Sequence, residues 1–225
     1  MPIYKKVNKD FFKKWTPNMA YILGFFAADG YITVNKRGAH FWCIQICDKG
    51  LLERIKECVG SDHKINVRLR KGNEKDLFRL QIGSKEMCND LRRLGMMERK
   101  TKSLAVPNIP DEFFSDFVRG YFDGDGGVWV GQIHKERNTT NMVIRSVFTS
   151  CSGNFLGLLK EKLKMFGVLN GVLRKEKGNY YRLTYSVYGS LNLYDFMYNH
   201  KVLRSGLLFL DRKKIVFDKF VELQP

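Results

Sequence analysis

The chain has 225 residues, 44% of them hydrophobic, which suffices to bury the core of one large domain or two small ones and excludes a disordered tail. Lysine and arginine number 39 against 23 aspartates and glutamates, a formal charge of +16 that suits a polyanionic partner, because basic side chains gain affinity by displacing counterions from phosphates. The longest apolar run, YILGFFAA, falls far short of the roughly 20 residues of a membrane span, and the opening MPIYKKVNKDFFKK lacks the apolar core of a secretion signal.

In chain order, the first predicted helix starts at Thr16, an N-cap, with Pro17 at its first position, and runs through MAYILGFFAADG. A β-like run, FWCIQI, follows, then a helix, LLERIKECVG, with apolar residues at helical spacing and a terminal glycine. KINVRLR and LFRLQIGS read as strands joined through RKGNEKD, and MMERK closes this half at Lys100. The joint is VPNIP, where two prolines flank a short polar step. A second helix then begins with Asp111 and Glu112 at its positive end and runs through SDFVRGYFDGDG. After it come a β-like MVIRSVFTS, a helix FLGLLKEKLKMFG, two strands, GVLRKE and YYRLTYSVYG, and the phrase FLDRK ending at Lys213. The order αββαββα thus occurs twice, an α+β tandem duplication with repeats at residues 1–106 and 107–225. Five scattered cysteines, with no CxxC or histidine pair to complete a zinc site, read as reduced thiols of an intracellular protein.

Both predicted motif helices carry small residues four apart, Gly24 with Ala28 and Gly120 with Gly124. Glycine inside a helix costs about 0.5–1 kcal/mol relative to alanine, so these need a reason. Close backbone approach supplies one, and the simplest partner of each helix is its copy. Such packing carries Asp29 and Asp125 together to the negative end of both helix dipoles, where each is penalised and the two repel. A divalent cation reverses both penalties, because carboxylates and free carbonyls are hard oxygen ligands suited to Mg²⁺. The plainer reading of each Asp-Gly, a helix cap and turn, does not explain two copies in register. An EF-hand loop starting at Asp123 fails, since Val128 stands where its glycine belongs.

ILGFFAADG and VRGYFDGDG resemble the two signature motifs of the single-chain LAGLIDADG homing endonucleases, and the resemblance extends over residues 15 to 220. It implies motif helices packed at the centre and, from each repeat, a curved antiparallel sheet lying in the DNA major groove. It also implies that Asp29 and Asp125 bind the catalytic metals, helped by the carbonyls of Ala28 and Gly124. Basic residues at the metal site's periphery, here Lys100 and Lys213, would activate water or stabilise the charge developing on phosphorus. The first motif departs from the pattern at Ala27, where the second has Asp123; the terminal acid is present in both.

The strands point the same way. Gln45, Arg68, Arg70, Arg79 and Gln81 in the first half, and Arg145, Thr149, Arg174, Arg182 and Thr184 in the second, punctuate β-like runs whose alternation sends one face to solvent. Arginine and glutamine pair bidentately with guanine and adenine edges. A strand of eight or nine residues spans roughly 30 Å, near one DNA turn, so two sheets would read about two turns. Because the copies differ, the preferred site should not be a perfect palindrome. The expectation is a monomer that binds double-stranded DNA and cuts both strands by Mg²⁺-assisted hydrolysis, leaving short 3′ overhangs as the resemblance implies. No loop for a nucleotide phosphate, catalytic triad or HExxH motif points to a small-molecule substrate. The alternative is the same scaffold used only for binding, as an RNA-splicing maturase or a transcription regulator. A basic ribosome-associated protein leaves the repeated Asp-Gly helices unexplained.

Overall fold

The computed structural model describes residues 5–72, 74–98, 104–133, 141–199 and 206–223. The first repeat supplies α1 (Pro17–Asp29), β1 (Gly30–Val34), β2 (His40–Ile46), α2 (Lys49–Cys58), β3 (Ile65–Arg68), β4 (Leu77–Gly83) and α3 (Lys85–Arg93). The second supplies α4 (Asp111–Asp125), β5 (Gly126–Ile133), β6 (Asn141–Ser150), α5 (Gly153–Met165), β7 (Val172–Lys175), β8 (Tyr181–Tyr185) and α6 (Val187–Tyr198), with α7 (Asp211–Glu222) added at the end. The layout is α+β, the order αββαββα occurs twice, and α7 lies beyond it.

Each repeat has one four-stranded antiparallel sheet, ordered β1-β2-β4-β3 in the first and β5-β6-β8-β7 in the second. Registers match as well: Gly30 pairs with Ile44 as Gly126 pairs with Phe148. On one face of the first sheet Trp42, Ile44, Leu80 and Ile82 are buried with Leu52 and Ile55 of α2 and Met87 and Leu91 of α3. On the second, Ile144, Phe148 and Leu183 are buried with Phe155 and Leu159 of α5, Leu193 of α6 and Phe217 of α7. Period-2 alternation turns the other face of each sheet outward.

Local signals explain the helix starts. The Thr16 hydroxyl accepts from the Met19 N–H at 3.1 Å with Pro17 next, and Asp48, Ser84 and Ser152 cap α2, α3 and α5 in the same way. Three expected placements shift. YYRLTYSVYG was expected to stay extended through Gly189, but β8 stops at Tyr185 and α6 starts at Val187, packed against β6 and β8. KINVRLR was expected to reach Arg70, but β3 ends at Arg68. FLDRK, expected to close the second repeat, instead opens α7 at Asp211.

The described residues form two compact units that cut the chain differently from the repeat joint at 106/107. One comprises the chain to residue 98 with 107–124 and 206–208; the other comprises 104–106, 125–199 and 209–223. Helix α4 therefore belongs, up to Gly124, with α1, and glycine is the reason. A β-carbon on Gly24 would sit 2.0 Å from the Phe117 carbonyl oxygen, and one on Gly120 2.0 Å from that of Tyr21. One on Gly124 would come 2.3 Å from the β-carbon of Ala28. Backbone meets backbone here, and the small residues of the two motifs face each other as their spacing predicts.

Candidate functional site

Asp29 ends α1 and is half-buried. Its Oδ2 lies 3.4 Å from the point a Gly124 β-carbon would occupy, so the first motif's carboxylate rests beside the backbone one residue short of Asp125. Asp125 ends α4, also half-buried, and the chain passes straight into β5. Neither Asp-Gly is a free turn. Gly30 is extended (φ −92°) and is the first residue of β1; it must be small because a β-carbon there would strike the Phe26 ring at 2.1 Å. Ala28 and Gly124 occupy the last turns of their helices, where carbonyls run out of intrahelical donors.

Carboxylate and backbone carbonyl oxygens are the hard donors a divalent cation takes. Among the described residues no group of three or more His, Cys, Asp or Glu side chains could hold a metal. One or two carboxylates completed by water and substrate phosphate oxygens is, however, how Mg²⁺ is commonly bound.

Lys213 is buried, at 5% exposure, and its Nζ donates to the Gly126 carbonyl at 2.6 Å. It is the third residue of α7, which packs on β5. Its ammonium thus sits one residue from Asp125 along the chain, not solvated on a turn. Lys100, its expected counterpart, lies outside the described residues.

Sequence reasoning missed a buried polar network between the motif helices. The Tyr21 hydroxyl donates to Asp123 Oδ2 at 2.7 Å. Arg119, 2% exposed, donates to Asp116 Oδ1 at 2.6 Å and to the Leu208 carbonyl at 2.9 Å, and its guanidinium lies 5.5 Å from the Tyr21 ring centre. Asp123, the position at which the motifs differ, is therefore tied to Tyr21. The Tyr21 hydroxyl satisfies one oxygen of this buried carboxylate.

Of the ten expected contact residues, nine lie on strands. On the first sheet Gln45, Arg79 and Asn66 stand in one row across β2, β4 and β3, with Gln81 and Arg68 on the same side. Arg70 falls past β3 and is held by Glu74 at 3.1 Å. On the second sheet Arg145, Arg174, Arg182 and Thr184 line one groove, and Thr149 pairs with Arg182 beside it. The groove also holds Trp129, Val147, Val172, Asn170 and Glu176, none of them expected. Three guanidiniums against one carboxylate leave it strongly positive. Trp129 is half-exposed, its indole lying over Gly131, where a β-carbon would meet it at 2.2 Å.

A LAGLIDADG-like domain is matched over residues 16–95. The chain is similar to the solved structure of I-AabMI, a LAGLIDADG meganuclease, bound to uncleaved DNA: TM-score 0.58, 17% identity, 92% of each chain covered. It is similar also to the I-SmaMI LAGLIDADG homing endonuclease bound to cleaved DNA (TM-score 0.56, 15% identity, 91% of this chain and 87% of that one). I-SmaMI bound to an uncleaved DNA target in the presence of calcium ions gives a TM-score of 0.52 at 15% identity, covering 94% of this chain and 95% of that one. Replication factor C small subunits of Methanocaldococcus jannaschii and Thermococcus kodakarensis are each 25% identical, over 66% and 80% of this chain. The chain spans only 8% and 19% of the lengths of these curated relatives. No helix among the described residues is long and apolar enough to cross a membrane. Motif helices in backbone contact, two sheets in matching register and the domain match agree: the chain carries a LAGLIDADG-like domain in its first repeat and has the two-repeat LAGLIDADG fold.

Proposed function

We propose that this chain is a site-specific endonuclease that acts as a monomer inside the cell on a long, non-palindromic stretch of double-stranded DNA, hydrolysing one phosphodiester on each strand with a divalent cation. The observation that carries the reading is that each motif helix ends on an aspartate and runs without a break into a sheet whose outward face bears arginine, with glutamine on the first sheet and threonine on the second. The DNA-bound I-SmaMI and I-AabMI structures, one of them with calcium ions, support it by sharing the fold.

In this reading Asp29 and Asp125, with the carbonyls of Ala28 and Gly124, hold the ion, and Mg²⁺ is the one proposed. A bound ion supplies polarisation of the scissile phosphate and acidification of a water molecule. The protein's own part is positioning and charge. Lys213, and Lys100 in the first repeat, place an ammonium near the negative charge that develops on phosphorus, where proximity matters more than geometry. Gln45, Arg68, Arg70, Arg79 and Gln81 engage one half-site, and Arg145, Thr149, Arg174, Arg182 and Thr184 the other. The repeats at 1–106 and 107–225, diverged copies of one unit, give the two halves different preferences.

Binding should be steeply salt-dependent. The logarithm of the affinity for duplex DNA is expected to fall with the logarithm of salt by about 0.9 per phosphate neutralised, so several contacts cost orders of magnitude between low and moderate salt. Fluorescence anisotropy on a labelled duplex measures this. A flat dependence would remove DNA as the ligand.

A further inference from the structure

The outward rows of the two sheets can be compared strand by strand because their registers coincide. Counting two residues on from the motif aspartate, the first sheet presents Tyr31, paired with Cys43, which pairs with Gln81. The second presents Gly127, paired with Val147, then Thr184, then Val172, across all four strands. These rows occupy the same place in each repeat and have opposite chemistry. Tyr31 and Gln81 offer hydroxyl and amide groups, and the Tyr31 hydroxyl, its pKa raised mainly by burial, interacts with Cys43 and Arg79. Val147, Thr184 and Val172 offer methyl groups to the groove, and a Val147 methyl carbon fills the space a Gly127 β-carbon would need, 3.3 Å from it.

On the major-groove edge of a base pair the only methyl group is that on thymine C5. A methyl-bearing row flanked by the basic Thr149–Arg182–Arg174 row on one side and by Arg145 on the other has no amide or guanidinium with which to read guanine or adenine. We propose that Val147, Thr184 and Val172 form a thymine-methyl reader, so that the half-site under the second sheet requires a thymine at a position where the other half-site is read by hydrogen bonds. This rests on the endonuclease reading above.

The test uses the full chain and the duplex recovered from a cleavage selection, with each thymine replaced in turn by deoxyuridine, which removes only the methyl. Expected is one thymine, in one half-site, whose replacement weakens binding about fourfold, the factor one buried methyl is worth. Val147→Ala should flatten that thymine/uracil ratio towards one. So should Thr184→Ser, which keeps the hydroxyl and leaves the fold undisturbed. A flat uracil scan with the parental chain, or a ratio unchanged in both variants, overturns the methyl reader while leaving the endonuclease standing. If no duplex is selected or bound at all, both readings fall together.

Discussion

Replacing Gly24 or Gly120 by leucine will destabilise the protein by about 3 kcal/mol or more, at the upper end of what overpacking costs. Even a β-carbon at either position would stand 2.0 Å from a backbone carbonyl oxygen of the other motif helix, Phe117 or Tyr21. A backbone oxygen cannot rotate away as a side chain can, so α1 and α4 would have to separate. Separation would also pull the Tyr21 hydroxyl from Asp123 and the Arg119 guanidinium from the Tyr21 ring. For a chain of this size the loss corresponds to a fall in Tm of about 10 °C. Thermal unfolding followed by circular dichroism decides it, and parental melting temperatures for both variants would show that the helices do not meet through these faces.

Asp29→Asn and Asp125→Asn should each abolish double-strand cleavage while leaving specific DNA binding intact. The substitution keeps size and one oxygen but removes the negative charge a hard cation needs. Neither side chain belongs to the apolar cores beneath the sheets. Lys213→Met should be a graded version of the same experiment, slowing single-turnover cleavage by roughly 10²-fold, as loss of one electrostatic donor to a developing oxyanion does elsewhere. Because Lys213 is buried and bonded to the Gly126 carbonyl, its variant needs the melting curve alongside the rate. Linearisation of a target plasmid by either asparagine variant at near parental rate would dismiss the two-carboxylate site. A Lys213→Met rate within a few-fold of parental would leave that lysine a purely structural role.

What the sequence made legible was whatever had a local cost or a local partner. Gly24 and Gly120 announced the helix contact because a glycine inside a helix is expensive without one. Thr16 with Pro17 announced the start of α1 because both act on the first turn alone. The strands entering from the motifs were harder to see. GGVWVGQI carries three glycines, which weaken any strand signal, yet pairing with β6 over its whole length makes it β5. The β8–α6 boundary was lost because Val187 and Tyr188 favour strands by propensity, whereas they open a helix whose later residues pack on β6 and β8. Arg119 and Asp116, three apart on a helix, look like an ordinary surface ion pair until Leu208, 89 residues on, closes over them. Lys213 was found through its likeness to MMERK, but its bond to Gly126 spans 87 residues and has no trace in the sequence. Within the groove, alternation exposed the arginines by their charge, while Val147 and Val172, on the same face, carry no charge to single them out.

Cleavage of duplex DNA at a specific site with a divalent ion is tested by selecting cleaved molecules from a randomised duplex library incubated with Mg²⁺. Sequencing the products should recover one asymmetric site of about two helical turns, cut on both strands with short 3′ overhangs and left uncut when the ion is chelated. Recovery of no preferred site, or products that persist unchanged under chelation, would contradict it.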